Sequence, residues 1–301
     1  MTTLMQDFFS PEWAAVDGQY VTTQFGATIT FQSKNATYID LHFEKNYPKL
    51  QLIWRRDDQT QWQNLTTQRK IVRLPLTNQD LHQYTLMVQT FDRDHFDFWH
   101  DPVTLTAIET DGSLLPVHST KIPITFVGDS ITVGESIRLD GHHPELAYPF
   151  LVAQALGRPL VNISYGGTGL TPFAPYQVPA PIEALWQVAY EVERPRVRTD
   201  MVIVNYGTND ANYGATEQNF SFGLRMYLLE LVKRFHEAKI IILVPFNGCF
   251  KNIFEQEMKR FSNITLISTA DWQISPNQVH PNEDEHRRAA TFILEELKGL
   301  K

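Results

Sequence analysis

A serine follows a short apolar segment near the middle of the chain, in the sequence Gly128-Asp129-Ser130. The apolar segment, 122–127, predicts a buried strand, and the residues after Ser130 predict a helix. At a strand-to-helix turn, a serine hydroxyl lies beside unpaired backbone N–H groups and the positive end of a helix dipole, which favour developing negative charge. The position suits a nucleophilic serine, and it also suits an ordinary helix-capping serine.

Three other segments contain residue types that serine chemistry needs. They are Asn162-Ile-Ser-Tyr-Gly-Gly-Thr-Gly169, Asn205-Tyr-Gly-Thr-Asn-Asp210 and Asn277-Gln-Val-His-Pro-Asn282. The first two follow predicted strands and the third precedes the terminal helix, and open α/β sheets bind ligands at such positions. Acyl transfer by serine requires a nucleophile, a base, a group that orients the base and donors for the oxyanion. In this chain, Ser130 would supply the hydroxyl and His280 the base.

In chain order the four segments read Gly-Asp-Ser, a Gly-rich turn, Gly-x-Asn-Asp and His-Pro-Asn, and together they resemble the SGNH (GDSL) hydrolase superfamily. The resemblance extends from the apolar segment to the C-terminus, in the superfamily's order and near its spacing. It implies that Ser130 is the nucleophile and His280 the general base. It also implies an oxyanion hole formed by the N–H of Ser130, the N–H of Gly167 and the side-chain amide of Asn209. Gly166 is the alternative to Gly167.

One position departs from the superfamily's pattern. The residue three before the histidine is usually an acid, and here it is Asn277. An amide oxygen still accepts a hydrogen bond from the imidazole, but it does not stabilise the imidazolium by charge. Three explanations stay open: a backbone carbonyl near Asn277 or Gln278 orients His280 in a Ser–His dyad, another acid such as Asp271 replaces the missing one, or the protein is a weak or degenerate enzyme. The dyad is the favoured hypothesis.

An antiparallel β domain before an SGNH domain resembles carbohydrate esterase family 2, whose members deacetylate sugars and xylan. The sequences at 126–134, at 163–170 and at Asp111-Gly112 agree with this family. The resemblance implies a serine esterase that needs no metal or cofactor and acts on a small acylated substrate, an acetylated sugar. The rivals are an acyltransferase, lysophospholipase or thioesterase on the same site, and a carbohydrate-binding protein with a degenerate active site. Four aromatic residues are candidates to line the sugar pocket, although such residues are commonly core: Tyr165, Trp186, Phe246 and Trp272.

Several other polar residues lie near the four segments. We expect Asp129 and Asp210 to hold loop backbone through side-chain hydrogen bonds rather than to act as acids. His142 and His143 are expected at the surface, and His286 is expected to be structural. The proline-rich loop 168–181 is a candidate pocket wall or an ordinary surface loop.

Composition limits the function classes further. The 301 residues are 43% hydrophobic and 20% charged, a globular balance, and the net charge of −8 argues against broad binding to nucleic acid or anionic membranes. No secretory signal or membrane span is recognised, so the sequence predicts a cytoplasmic protein. The single cysteine, Cys249, excludes an intrachain disulfide and a cysteine-based metal cluster. The segment 90–101 is dense in Asp and His, but its spacing fits no known metal loop, and no metal site is predicted. The sequence gives no oligomeric state.

Hydrophobic patterning predicts two domains. Residues 1–117 contain short alternating segments, which indicate an antiparallel, jelly-roll-like β-sandwich. Residues 118–301 alternate between strand and helix patterns, which indicate a five-stranded parallel sheet in flavodoxin-like order. The predicted strands are 27–32, 38–43, 49–54, 70–74, 83–88 and 103–108, then 122–127, 160–163, 201–206, 240–244 and 264–267. The predicted helices are 146–156, 182–193, 217–238 and 284–297.

Overall fold

The computed structural model describes residues 6–47, 49–66, 69–76, 80–92, 97–274 and 278–300. The chain divides into two compact units. The first comprises Met1–Thr120 and Gln187–Arg196, and the second comprises Lys121–Trp186 and Val197–Lys301. The predicted division after residue 117 lies close to the first of these boundaries. It does not anticipate the return of the chain to the first unit at Gln187–Arg196.

The described residues form strands and helices that are numbered here in chain order. The strands are β1 (Ala14–Val16), β2 (Gln19–Thr22), β3 (Thr28–Lys34), β4 (Tyr38–Phe43), β5 (Gln51–Arg56), β6 (Gln63–Thr66), β7 (Ile71–Pro75), β8 (His82–Thr90), β9 (Val103–Thr110), β10 (Ser113–Pro116), β11 (Ile124–Gly128), β12 (Leu160–Ser164), β13 (Gln187–Ala189), β14 (Val192–Glu193), β15 (Met201–Asn205), β16 (Lys239–Leu243) and β17 (Ile264–Ile267). The helices are α1 (Ser130–Val133), α2 (Tyr148–Leu156), α3 (Pro181–Trp186), α4 (Thr208–Asn212), α5 (Glu217–Arg234), α6 (Lys251–Met258) and α7 (Glu283–Gly299). Short 3-10 helices lie at Gln6–Phe8, Pro144–Leu146 and Ala270–Trp272.

The first unit contains two five-stranded antiparallel sheets. Their strand orders are β1-β2-β9-β4-β7 and β10-β3-β8-β5-β6. Alternate residues of β3 and β7 are buried, because successive side chains of a strand point to opposite faces of the sheet. The six strands predicted in this part of the sequence are confirmed, with small differences at their ends. The short strands β1, β2, β6 and β10 were not predicted.

The second unit is built on one parallel sheet with the order β12-β11-β15-β16-β17, which is the predicted flavodoxin-like order. On one face, Phe126 of β11 and Ile203 of β15 pack in a cluster with Ile293 of α7. Their neighbours Val127 and Val204 point to the opposite face and are also buried. Both faces of the sheet are therefore covered, as parallel sheets require.

The helix predicted at 182–193 is wrong in its second half. Helix α3 ends at Trp186, and the chain continues into the antiparallel pair β13 and β14. Val188 of β13 is fully buried with Ala14 and Val21 of the first unit, and Thr23 Oγ1 donates a hydrogen bond to its carbonyl. Tertiary packing of Val188 thus overrides a local helical pattern.

Helix α6 was not predicted, and it begins after Phe250, a residue with a left-handed φ of 56° and no side-chain cap. Such a start lacks the Ser, Thr, Asp or Asn signal that marks most helix N-termini. No helix in the described part of the chain is long and apolar enough to cross a membrane.

Candidate active site

Ser130 is the first residue of α1, two residues after the end of β11, which is the second strand of the parallel sheet. Asp129 caps this helix, with Oδ1 accepting a hydrogen bond from the backbone N–H of Ile131 at 3.0 Å. The predicted helix is only one turn long and ends at Gly134, which has a left-handed φ of 90°. The dipole of a single turn is small, so it adds little to the stabilisation of negative charge beside Ser130.

His280 lies beside the serine, with Nε2 at 2.9 Å from Ser130 Oγ. The loop that carries it is fixed by the start of α7, where Asn282 and Glu285 form a reciprocal capping box. Gln278 Nε2 also donates a hydrogen bond to Glu285 Oε2 at 3.0 Å. The predicted pair of nucleophile and base is therefore assembled, although the two residues are far apart in sequence.

Two opposing effects act on the base. Burial lowers the pKa of His280 below its ordinary value, and the negative charge of Glu135 acts in the opposite direction. Because the ring is neutral at neutral pH, one of its nitrogens can accept the serine proton. The geometry fits a neutral imidazole whose Nε2 accepts a hydrogen bond from the Ser130 hydroxyl.

The other two predicted oxyanion donors lie in the loop after β12 and in helix α4, which follows β15. Asn209, 5% exposed, donates from Nδ2 to the carbonyl of Thr168 at 2.8 Å and makes a long contact of 3.5 Å to Asp129 Oδ2. Gly167 has a left-handed φ of 72°, and a Cβ at this position would lie 2.1 Å from the ring of Tyr176. A glycine is thus needed at 167 both for its conformation and for the close approach of the ring.

Asp129 and Asp210 hold loop backbone, as the sequence predicts. Asp210 accepts hydrogen bonds from the backbone N–H groups of Leu170, at 3.0 Å, and Thr171, at 2.7 Å. Burial raises the pKa of Asp210, and it raises the pKa of Asp129 to about 7, with a further contribution from nearby carboxylates. Two buried acids, each next in sequence to a candidate catalytic residue, therefore hold backbone in place around the site.

The prediction for the paired histidines is correct for one and wrong for the other. His142 is partly exposed, and its Nδ1 accepts a hydrogen bond from the backbone N–H of Ser136 at 3.2 Å. His143 is only 7% exposed and lies between Glu145, 2.8 Å from Nδ1, and Asp140, 3.0 Å from Nε2. The hydrogen bond to Glu145, and then that to Asp140, raises the pKa of His143 against the effect of burial. Each nitrogen of the ring thus has a carboxylate partner, which allows this histidine to be buried.

His286 is structural, as predicted. It is fully buried, its ring stacks on Tyr148, and its Nδ1 accepts a hydrogen bond from the Tyr148 backbone N–H at 3.1 Å. Burial lowers its pKa to about 3, so the ring is neutral. Through this contact it joins α2 to α7, the helix that follows the loop of His280.

The four aromatic residues proposed for a sugar pocket do not form one. Phe246 and Trp272 belong to the core cluster under the sheet, and Tyr165 is 1% exposed. Trp186 is half-buried, with Nε1 donating to Glu230 of α5 at 3.1 Å. These rings stabilise the second unit, because large aromatic side chains bury the most apolar surface there.

Two residues of the site were not singled out by the sequence. Tyr176, half-exposed at 51%, covers Gly167 and lies in the proline-rich loop that was a candidate pocket wall. Glu135, five residues after the serine, lies against Gly166.

Asn277, the predicted orienting residue, lies outside the described residues. Asp271, the alternative acid, is exposed in a short 3-10 helix.

Comparison with known proteins gives a family match. A sequence model described as the GDSL-like lipase/acylhydrolase family matches residues 126–285, which include the four segments that carry the candidate residues up to the start of α7. A search of curated proteins finds no match.

Solved structures share the architecture of the whole chain. A family two carbohydrate esterase from Clostridium thermocellum, in complex with cellohexaose, has a TM-score of 0.79 at 15% identity, over 97% of this chain and 98% of that one. An acetyl xylan esterase from the rumen bacterium Butyrivibrio proteoclasticus has a TM-score of 0.75 at 16% identity, over 98% and 96%. A salicylyl-acyltransferase from a tetracycline biosynthetic pathway has a TM-score of 0.65 at 14% identity, over 96% and 93%. These likenesses confirm the predicted two-part fold.

Proposed function

Because the chain belongs to the GDSL-like lipase/acylhydrolase family, we propose that it is a serine esterase that removes short acyl groups, most simply acetyl, from a carbohydrate. The observation that carries this proposal is the 2.9 Å contact between Ser130 Oγ and His280 Nε2 at the C-terminal edge of the parallel sheet. A partly buried histidine of lowered pKa beside a serine is the arrangement that general-base activation of a nucleophile requires.

The reaction runs in two steps. Ser130 Oγ attacks the ester carbonyl while its proton passes to His280 Nε2, and the imidazolium then returns that proton to the leaving alcohol. Water next donates a proton to His280 and attacks the acyl-enzyme, which releases the acid and restores the serine. In both steps the negative oxygen is held by the N–H groups of Ser130 and Gly167 and by Asn209 Nδ2.

The second N–H of the Asn209 amide supports this assignment. One N–H is used by the Thr168 carbonyl, and the other makes only the 3.5 Å contact to Asp129. An N–H that is held in place but weakly bonded is available to a developing oxyanion at little cost.

A carbohydrate as the alcohol half is supported by Tyr176. Its ring is half-exposed and lies directly against Gly167, so a substrate whose carbonyl reaches the oxyanion hole passes close to it. Aromatic rings offer a flat apolar face with a polar tip, which suits the C–H face and hydroxyl groups of a sugar ring. The similar fold of an enzyme solved with cellohexaose, and of an acetyl xylan esterase, agrees with this choice.

Acyl transfer to an acceptor alcohol is the second candidate, supported by the fold shared with a salicylyl-acyltransferase. Both reactions use the same acyl-enzyme and differ only in the second nucleophile. Adding a sugar alcohol to the assay decides between them: a transferase forms a new ester faster than free acid, whereas a hydrolase does not.

The first test is turnover of p-nitrophenyl acetate, p-nitrophenyl butyrate and an acetylated xylo-oligosaccharide, beside Ser130→Ala and a serine-reactive organophosphate. We expect acetate to be turned over faster than butyrate, and both treatments to abolish activity. No turnover and no labelling of Ser130, together with sugar binding that survives Ser130→Ala, would instead show a binding protein with a degenerate site.

A further inference from the structure

A cavity of about 210 Å³ lies in the first unit, among residues that the proposed esterase reaction does not use. Strands β5, β6 and β8 of one sheet and the end of β7 of the other contribute to its lining. The cavity is smaller than the roughly 300–1,000 Å³ of pockets that enclose drug-sized ligands, so it has room for a single ring-sized group. Its polar and aromatic lining residues are Trp54, Arg56, Gln59, Gln63 and Tyr84.

The strand register places four of these side chains on one face of the sheet. Trp54 and Arg56 are two residues apart in β5, so their side chains point the same way. Gln63 of β6 is the cross-strand partner of Trp54, and Tyr84 of β8 is the partner of Arg56. This face is the inner one, because Tyr84 is only 1% exposed. The cavity therefore lies where the inner face reaches the edge strand β6, whose Gln63 is exposed.

Two aromatic rings form the apolar part of the cavity. The ring centroids of Trp54 and Tyr84 are 6.3 Å apart, and the ring planes differ by 30°. Tyr84 also stacks on Phe31 of β3, with 6.2 Å between the ring centroids. Phe31 and Tyr84 are buried, whereas Trp54 is only half-buried. The core thus supports an accessible indole, and such a flat apolar surface suits the C–H face of a sugar ring.

Two glutamines supply hydrogen-bonding groups beside the rings. Gln63 Nε2 donates to Gln59 Oε1 at 3.1 Å, a bond that orients both amides. Within the described ranges, Gln59 Nε2 and Gln63 Oε1 have no hydrogen-bond partner, so one donor group and one acceptor oxygen are available to a ligand. The buried Tyr84 hydroxyl has Arg56 beside it and no other hydrogen-bond partner among the residues that the structure describes.

The charge of Arg56 does not make this cavity an anion site. Arg56 Nε donates to Asp58 Oδ1 at 2.6 Å, and Nη2 donates to Asp58 Oδ2 at 2.9 Å. A bidentate pair of this kind satisfies the guanidinium and balances its charge. A phosphate or carboxylate ligand would have to displace Asp58, whereas a neutral polyhydroxyl ligand would not.

We propose that this cavity is a carbohydrate-binding site separate from Ser130, and that it binds one pyranose unit of a neutral oligosaccharide. Trp54 contacts the C–H face of the sugar ring, and Gln59 and Gln63 bind its hydroxyl groups. All lining residues belong to the first unit, so binding here does not depend on the esterase reaction. A polysaccharide bound at this site stays attached to the protein between turnovers, which raises the effective concentration of its acyl groups.

The test is an NMR titration of the ¹⁵N-labelled full chain with xylohexaose, cellohexaose and mannohexaose, which carry no ester and are therefore not substrates. The indole N–H signal of Trp54, assigned with Trp54→Phe, reports on the cavity. The signal of Trp272, which lies in the core of the second unit, is the reference. We expect at least one of the oligosaccharides to shift the Trp54 signal and to leave the Trp272 signal unchanged.

Two variants separate the ring contact from the hydrogen bonds. Trp54→Ala, followed through the backbone amide of Gln63, should weaken binding at least about tenfold, since both the stacking contact and the buried apolar surface are lost. Gln63→Leu keeps a side chain of similar size without its amide, and should weaken binding about threefold to tenfold. Gln51→Leu is the matched control, because Gln51 is an exposed glutamine of β5 outside the cavity, and it should bind as the wild type does.

Three results would overturn the proposal. They are no shift of the Trp54 signal by any of the oligosaccharides at millimolar concentration, wild-type affinity in both cavity variants, or a shift by inorganic phosphate alone, which would indicate an anion site at Arg56. Circular dichroism checks that each variant folds, and if Trp54→Ala does not, the exposed position of Gln63 lets Gln63→Leu decide. A wild-type protein that hydrolysed no ester would contradict the esterase proposal and leave this binding result unaffected.

Discussion

The side-chain amide of Asn209 donates a hydrogen bond to the backbone carbonyl of Thr168 over 2.8 Å. The two residues follow different strands, β15 and β12, which are separated in the sheet by β11. The neighbouring Asp210 strengthens the link by accepting two N–H groups from residues 170 and 171. The loop after β12, which contains Gly167, and helix α4, which contains Asn209, are therefore joined to each other before any substrate binds. Such preorganisation is what makes fixed dipoles effective in catalysis.

Asn209→Ala tests the oxyanion role. We expect kcat to fall by about 10²–10³, since one oxyanion donor contributes roughly 3–4 kcal/mol to transition-state stabilisation. KM should change little, because the donor acts mainly on the charged oxygen of the transition state. Steady-state kinetics with p-nitrophenyl acetate checks this, with Asn219→Ala, an exposed asparagine of α5, as the control. Equal losses in the two variants would contradict the assignment.

The pH profile should reflect a neutral base. Burial lowers the pKa of His280, so the ring stays unprotonated to a lower pH than a free histidine does. Activity requires the neutral ring, and kcat/KM should therefore rise with pH through a midpoint below 6.5, the ordinary value, and then stay level. A midpoint clearly above 6.5 would show that nearby negative charge outweighs burial at this residue.

The sequence predicted the parts of this molecule that depend on local patterns. The apolar runs of β11 and β15 end in Gly128 and Asn205, and Ser130, Asn209 and His280 each lie in a short recognisable segment. Since carboxyl ends of parallel strands share one edge, the order of the sheet brings these segments together.

The parts that sequence missed depend on contacts between distant residues. Glu135 and Tyr176 owe their positions to Gly166 and Gly167, and no spacing rule marks either pair. The same applies to β13, which is extended because Val188 is buried beside strands more than a hundred residues earlier in the chain. Local propensity does not contain such information.

Tyr176→Ala tests the sugar contact. We expect KM for an acetylated xylo-oligosaccharide to rise about fivefold to tenfold, as the loss of an aromatic contact of about 1–1.4 kcal/mol implies. KM for p-nitrophenyl acetate should change less, because that ester has no sugar ring. Tyr176→Phe keeps the ring and is the matched control. The same loss for both esters would show that Tyr176 acts only by supporting Gly167.

Asp129→Asn should change how stability depends on pH. Burial raises the pKa of Asp129 from 3.8 to about 7, so between these values the folded protein keeps a proton that the unfolded chain has released. The contribution of Asp129 to the free energy of unfolding therefore decreases as the pH rises from about 4 to about 7, and it stays constant at higher pH. In the variant this decrease is absent, and urea unfolding at pH 5 and pH 8 should differ by less than in the wild type. Asp284→Asn, at an exposed position of α7, should keep the wild-type difference.

Val188→Ala tests whether the segment Gln187–Arg196 folds with the first unit. Val188 is fully buried with Ala14 and Val21, and removing two of its methyl groups should cost roughly 1–3 kcal/mol. If the segment belongs to the first unit, hydrogen exchange should accelerate at the amides of β1 and β2 and stay slow in the parallel sheet. Leu115→Ala, at an exposed position of β10, is the control and should change neither. Faster exchange confined to the parallel sheet would mean that β13 stabilises the second unit, because a buried side chain protects the unit whose core it completes.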